Sequence, residues 1–83
     1  MDKEATTSAI RMYGTAWCAD CRLAKRILDE NQTAYEFIDI DEVPEAAAEV
    51  LKLNRGMRSV PTIVFPDGSV LVEPSRRELL ARI

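Results

Sequence analysis

The chain has 83 residues, of which 47% are apolar and 30% charged, and this balance predicts one small globular domain. Its formal net charge is −3, so we expect neither nucleic acid nor a membrane as a partner, because both attract a basic excess. The sequence contains no histidine, which excludes Cys–His pairs, Ser–His triads and most catalytic zinc sites.

Residues 1–8 are polar and lack the apolar core of a secretory signal, so we expect the protein to remain in the cytoplasm. We also expect this segment to be disordered, because it has few apolar groups that could hold it against a core. No apolar run approaches the roughly 18 residues that span a bilayer. The rest of the chain, residues 9–83, is predicted to fold as the domain.

The first predicted elements are a strand over residues 9–13 and a helix over residues 18–30. Apolar residues recur along this helix at a spacing of four, which predicts one buried stripe. The stripe consists of Leu23, Ala24, Ile27 and Leu28. The polar residues 31–33 then end the helix.

The second predicted strand covers residues 34–40, where apolar and polar side chains nearly alternate. Because a helix joins it to the first strand, the two should be parallel with a right-handed crossover. A second helix is predicted to begin at Pro44, since proline suits the first helical position and the neighbouring acidic residues suit the helix dipole. Residues 54–56, which tolerate a left-handed backbone, end it.

The third predicted strand covers residues 59–65 and has a proline near its start, where a missing N–H is tolerated. Residues 66–68, Pro-Asp-Gly, are a strong turn signal, so residues 70–72 should fold back as a hairpin. Ser75 and Glu78 have the spacing of a capping box and begin the last helix. The element order is therefore β-α-β-α-β-β-α, which predicts an α/β fold.

The two cysteines form a Cys-x-x-Cys motif where the first strand passes into the first helix. At that place Cys18 meets free backbone N–H groups and the positive end of the helix dipole, which favour the nucleophilic thiolate. Cys21 lies one turn along on the same face, within reach to close a disulfide. The motif therefore indicates redox chemistry. A pair of core cysteines, or half of a zinc site shared by two chains, is the alternative.

The element order, together with residues 13–21, 59–62 and 65–69, resembles the thioredoxin fold in its short glutaredoxin form. Within that family the chain is most similar to the mycoredoxins and glutaredoxin-like proteins of bacteria, and the resemblance covers about residues 9–83. It implies a four-stranded mixed sheet of strand order 2-1-3-4 with helices on both faces. It also implies that Cys18 is the exposed nucleophile and Cys21 the more buried resolving thiol.

The resemblance further implies a set of substrate-binding residues. Pro61 is expected to be cis and to face the cysteines, and the backbone of Val60 to pair with an extended thiol substrate. Trp17 should shield the site and contact partners, and Tyr13 is a further candidate beside the turn. Three arginines are expected near the site as receivers of carboxylates or of an acidic partner, namely Arg55, Arg58 and Arg76. A solvated basic rim is the alternative.

Asp20 lies between the two cysteines. Its charge suits the N-terminus of a helix but opposes a thiolate at Cys18. We predict that Asp20 tunes the site by disfavouring that thiolate and making the dithiol more reducing. The alternative is a solvated carboxylate in the first turn of the helix.

The resemblance implies a thiol–disulfide oxidoreductase that has no bound cofactor. It would reduce mixed disulfides between proteins and a low-molecular-weight thiol, and with Cys21 also protein disulfides. Many glutaredoxins hold glutathione through a lysine three residues before the first cysteine and a glycine pair before the last helix. Those positions are Thr15 and residues 72–75 here, so the co-substrate stays open between mycothiol and glutathione.

Two alternatives for the function stay open. Within the same class, the protein is an electron donor to ribonucleotide reductase and is itself reduced by thioredoxin reductase. From another class, it is a module in which two chains share a metal ion or an iron–sulfur cluster through Cys18 and Cys21. Otherwise we expect a monomer that works with the small thiol, oxidised client proteins and a thiol–disulfide reductase system.

Overall fold

The computed structural model describes residues 9–83, so the expectation of disorder in residues 1–8 lies outside the described residues. The strands are β1 (Ile10–Gly14), β2 (Tyr35–Asp39), β3 (Thr62–Val64) and β4 (Val70–Val72). The helices are α1 (Ala19–Glu30), α2 (Pro44–Leu53) and α3 (Arg76–Leu80). The predicted element order is confirmed. Within residues 9–83, no helix is both long and apolar enough to cross a membrane.

The strands form one four-stranded mixed sheet of order β2-β1-β3-β4, as predicted. β1 pairs in parallel with β2, and its other edge pairs antiparallel with β3, which in turn pairs antiparallel with β4. Because β1 and β2 are parallel, their carboxyl ends lie at the same edge of the sheet. The loops that lead into α1 and α2 therefore begin side by side, which is where open α/β sheets place their sites.

Helices cover both faces of the sheet, so the core has two clusters. The cluster beneath α1 and α3 contains Ile10, Met12, Ala24, Ile27, Leu28, Ile63, Phe65 and Leu79. The cluster beneath α2 contains Tyr13, Ile40, Ala46, Val50 and Val64. Consecutive residues of a strand point to opposite faces, so Met12 faces α1 while Tyr13 faces α2.

The buried stripe of α1 differs from the prediction at one position. Leu23 is 39% exposed, and the buried residues of the helix are Cys21, Ala24, Ile27 and Leu28. Each helical residue turns the chain by about 100°, so a stripe that includes Cys21 puts Leu23 at its border. The apolar spacing alone did not include Cys21 in the stripe, although the family resemblance implied that Cys21 is the more buried thiol.

The helix ends use the residues that the sequence indicated. Pro44 occupies the first turn of α2 directly after Val43, the N-cap. Ser75 Oγ accepts the backbone N–H of Glu78 at 3.1 Å, and the Glu78 carboxylate accepts the backbone N–H of Ser75 at 2.8 Å. The capping box is therefore confirmed, and it fixes where α3 begins.

The five-residue helix α3 is anchored mainly by Leu79, which is 1% exposed, whereas its neighbour Leu80 is 38% exposed. We expect Leu79→Ala to lower the free energy of unfolding by about 2–5 kcal/mol, because it leaves a cavity in the core. Leu80→Ala, the matched control, should lower it by about 1 kcal/mol or less. Urea unfolding followed by circular dichroism measures both, and equal losses would contradict this view of the core.

Candidate active site

The cysteines lie at the junction of β1 and α1, because the strand ends at Gly14 and the helix begins at Ala19. Cys18 is the N-cap of α1, with an extended backbone, and its Sγ accepts the backbone N–H of Cys21 at 3.1 Å. This bond satisfies one of the N–H groups that every helix leaves free at its start. A thiolate accepts such a bond more strongly than a thiol, so this contact agrees with the predicted role of Cys18 as the nucleophile.

The expectation that Cys18 is exposed needs correction. Cys18 is only 9% exposed, although it is the more accessible of the two free thiols, since Cys21 is fully buried. Its Sγ lies 3.9 Å from the carbonyl oxygen of Val60, which is too long for a strong hydrogen bond. This distance is still close to van der Waals contact, and together with the low exposure of Cys18 it shows that the loop before β3 covers the sulfur.

The loop that covers Cys18 contains the Val60–Pro61 peptide, which is cis, the isomer that the resemblance implied. Pro61 is fully buried and Val60 is half-buried. The Pro61 carbonyl accepts the backbone N–H of Glu73 at 2.8 Å, so the loop is tied to the chain just after β4. The pairing of Val60 with a substrate stays a prediction.

Cys21 is buried against the backbone of Gly14. Burial raises the pKa of the Cys21 thiol to about 12, and the hydrogen bond with Cys18 adds to the rise, while the Thr15 backbone and Lys25 oppose it. A Cβ on Gly14 would stand 2.6 Å from Cys21 Sγ, so only glycine leaves room for the sulfur. Gly14 was missed in the sequence, where the available signal was a lone glycine at the end of a strand.

An aspartate joins two of the predicted binding residues, Trp17 and Arg58. Asp41 accepts the indole N–H of Trp17 at 3.0 Å with one carboxylate oxygen and the guanidinium of Arg58 at 2.6 Å with the other. The hydrogen bond from Arg58, and then that from Trp17, holds the pKa of Asp41 below its usual value. Trp17 remains 66% exposed, so its ring is held in place without being buried.

Asp41 was not among the residues predicted for the site. The available signal was topological, because Asp41 follows β2, and the carboxyl end of β2 lies beside that of β1. An acidic residue in that loop is therefore close to the turn that carries the cysteines.

Two predicted binding residues lie away from the cysteines. Tyr13 is 4% exposed on the α2 face of the sheet, and its hydroxyl accepts a hydrogen bond from Arg11 at 2.7 Å. The guanidinium of Arg76 lies 3.5 Å from the carboxylate of Glu30, at the C-terminal end of α1. A helix rises 1.5 Å per residue, so that end is about 18 Å from Cys18. The structure therefore does not place either side chain at the cysteines.

Arg55 and Asp20 are both exposed. Arg55 follows α2 with a φ of 55°, in the left-handed region. Asp20 lies in the first turn of α1, two residues after Cys18, so its charge stands at the positive end of the helix dipole. Their expected roles, carboxylate binding for Arg55 and tuning for Asp20, stay predictions.

The alternative function, a metal site shared by two chains, would need ligands in addition to the two cysteines of one chain. Among residues 9–83, no group of three or more His, Cys, Asp or Glu side chains could hold a metal ion. The hypothesis that two chains share an ion or a cluster through their cysteines stays untested, and the metal content and native mass of the purified protein would test it.

Comparisons with known proteins agree on one family. The family model for glutaredoxin matches residues 10–71. A Mycobacterium tuberculosis protein, provisionally named a glutaredoxin, is 42% identical over 77 residues, which are 93% of this chain and 92% of the relative. Mycoredoxin 1 of Corynebacterium glutamicum is 37% identical over 76 residues, which are 92% of this chain and 94% of the relative.

The solved structures show the same fold. The crystal structure of the thioredoxin-like protein BC3987 superposes with a TM-score of 0.79 at 28% sequence identity and covers 89% of this chain and 99% of that one. The chain therefore has a thioredoxin-like α/β fold. Its sheet order and helices match the short glutaredoxin form that the sequence resembles.

The close approach of Gly14 to Cys21 predicts the effect of adding one methyl group. We expect Gly14→Ala to lower the free energy of unfolding of the reduced protein by about 1–3 kcal/mol, because the sulfur must move. In a Cys21→Ala background the loss should be smaller, since the nearest atom has been removed. Urea unfolding of the unchanged protein, Gly14→Ala, Cys21→Ala and the double variant measures both losses. Equal losses in both backgrounds would show that the sulfur does not set the constraint.

Proposed function

The chain belongs to the glutaredoxin family, and we propose that it acts in the cytoplasm to reduce mixed disulfides between proteins and a low-molecular-weight thiol. The observation that carries this proposal is that the two thiols differ in burial and in hydrogen bonding. Cys18 caps α1 and accepts an N–H from the helix, whereas Cys21 is buried behind it and holds its proton. We therefore propose that Cys18 attacks the mixed disulfide and that Cys21 reacts in a later step.

In the proposed first step, the Cys18 thiolate attacks the small-thiol sulfur of a mixed disulfide. A bond forms between Cys18 and the small thiol, and the bond to the client protein breaks. The electron pair leaves with the client sulfur, which takes up a proton as a free thiol. Because burial keeps Cys21 protonated at neutral pH, Cys18 is the thiol that reacts first.

Two routes then release Cys18. A second small thiol, as thiolate, can attack the small-thiol sulfur of the adduct, which forms the small-molecule disulfide and returns the Cys18 thiolate. Alternatively, Cys21 loses its proton and attacks Cys18 Sγ, which closes the Cys18–Cys21 disulfide and releases the small thiol. The 3.1 Å contact between Cys18 Sγ and the Cys21 backbone supports the second route, because it fixes the two residues one turn apart.

We propose mycothiol as the preferred co-substrate and glutathione as the alternative. Two observations support this order: the likeness to mycoredoxin 1 of Corynebacterium glutamicum, and Thr15 at the position where many glutaredoxins have a lysine. Arg58 is the proposed receiver of a substrate carboxylate, and the supporting observation is that it shares the Asp41 carboxylate with Trp17, the residue before Cys18 in the chain.

A second candidate is an electron donor to ribonucleotide reductase that thioredoxin reductase reduces. The supporting observation is a likeness to the glutaredoxin-like protein NrdH of Lactococcus lactis, which is 33% identical over 58 residues, or 70% of this chain and 78% of the relative. Oxidised protein offered to thioredoxin reductase with NADPH, and in parallel to mycothiol with its reductase, separates the two candidates. The system that reduces it identifies the electron source.

Serine variants test the roles of the two cysteines. Cys18→Ser should abolish the reduction of both mixed and protein disulfides, because the attacking sulfur is gone. Cys21→Ser should keep the reduction of a mixed disulfide in excess small thiol but lose the reduction of a protein disulfide. Steady-state rates with both substrate types measure this. Equal loss of the two activities in Cys21→Ser would rule out the route through a second small thiol.

Two arginines test the proposed carboxylate receiver. Arg58→Ala should raise the KM for a mixed disulfide with a free carboxylate about two- to fivefold, the size expected for an exposed charge pair. Arg76→Ala removes the same charge near Glu30, far from Cys18, and should leave that KM unchanged. If neither variant changes the KM, the arginines form a solvated rim, and an equal rise in both would contradict a specific contact at Arg58.

A further inference from the structure

Lys25 is a half-buried cation on the same face of α1 as the resolving cysteine. It follows Cys21 by four residues, which is one helical turn, and helical side chains lean toward the N-terminus of their helix. Its ammonium lies 3.6 Å from the centroid of the Phe37 ring on β2. A cation over an aromatic face is attracted by the ring, so this contact holds the ammonium in place.

The Phe37 ring and the buried sulfur converge on the same point of the backbone. The place where a Gly14 Cβ would stand is 3.0 Å from Phe37 Cε1 and 2.6 Å from Cys21 Sγ. The ring is therefore a neighbour of both the ammonium and the sulfur. The charge of a half-buried side chain is screened less than a charge in bulk water.

The groups that act on the Cys21 thiol come from three elements. From α1, whose first turns also carry the exposed Asp20 and Arg22, Cys18 and Lys25 act on the thiol; the chain leaving β1 contributes the backbone of Thr15, and β2 contributes the uncharged ring of Phe37. Cys18 disfavours a negative charge on Cys21, whereas Lys25 favours it. Lys25 is the cation of this set.

We propose that Lys25 is a positioning residue for the resolving step, in which its ammonium, held on Phe37, stabilises the negative charge that Cys21 carries as it attacks Cys18. This inference rests on the proposed function. The Cys21 proton leaves to water, the Cys21–Cys18 bond forms and the bond from Cys18 to the small thiol breaks. The electron pair departs on the small thiol, which takes a proton from water. Lys25 keeps its proton throughout.

The proposal separates the two release routes. The route through a second small thiol does not use Cys21, so it should not depend on Lys25. The route through the Cys18–Cys21 disulfide needs a charge on a buried sulfur and should depend on it. A residue with a merely structural role would affect both routes together.

The experiment measures closure of the Cys18–Cys21 disulfide from a preformed adduct of Cys18 with mycothiol, in single turnovers across a pH series. Lys25→Gln should slow closure about three- to tenfold at neutral pH, because fewer Cys21 thiolates form while each is a better nucleophile. The difference should shrink as the pH rises. Lys25→Arg should restore most of the rate, and Arg26→Gln, an exposed neighbour with the same charge change, should leave it unaltered.

Two further measurements separate this inference from the proposed function. In a Cys21→Ser background, Lys25→Gln should leave reduction through a second small thiol unchanged. In a Cys18→Ser background, Lys25→Gln should slow alkylation of Cys21 at every pH below its pKa, a test that needs no substrate. Unchanged closure and alkylation rates, or an equal effect of Arg26→Gln, would overturn the role of Lys25. Failure to reduce any mixed disulfide would instead overturn the proposed function.

Discussion

The hydrogen bond from the Cys21 backbone to the Cys18 sulfur is the contact on which the site depends. It begins α1, it offers the sulfur an N–H that a thiolate accepts better than a thiol, and it fixes Cys21 one turn behind Cys18, the proposed nucleophile. The sheet places this contact, since β1 is a central strand that brings its carboxyl end to the edge where the loops into both neighbouring helices begin.

Burial gives the two cysteines different chemistry, although they are three residues apart. The loop with the cis peptide before Pro61 covers Cys18 without enclosing it, whereas Cys21 is packed on the bare backbone of Gly14. Burial makes the charged form of Cys21 costly, so in the proposed mechanism this thiol reacts only after Cys18 carries an adduct. Lys25, held on an aromatic ring at the edge of this core, would then lower the cost at the step that needs it.

The sequence predicted those features that depend on neighbours along the chain. Apolar spacing, the Pro-Asp-Gly turn and the Ser75–Glu78 box are local patterns, and the element order and capping box that they predict are confirmed. The strand order, also confirmed, was implied by the resemblance to the short glutaredoxin form. Contacts between separate elements were not predictable in this way. The covering of Cys18, the bridge formed by Asp41 and the pairing of Arg76 with Glu30 depend on distances that no periodicity encodes.

The order in which the two thiols react is tested most directly by trapping the intermediate. Mass spectrometry of Cys21→Ser after one turnover with a mycothiol–protein disulfide, quenched in acid, shows which sulfur received the small thiol. We expect the enzyme to carry one mycothiol, located on Cys18, and the client protein to be released as a free thiol. An enzyme joined to the client protein through Cys18, or one that carries no adduct, would contradict the proposed order of attack.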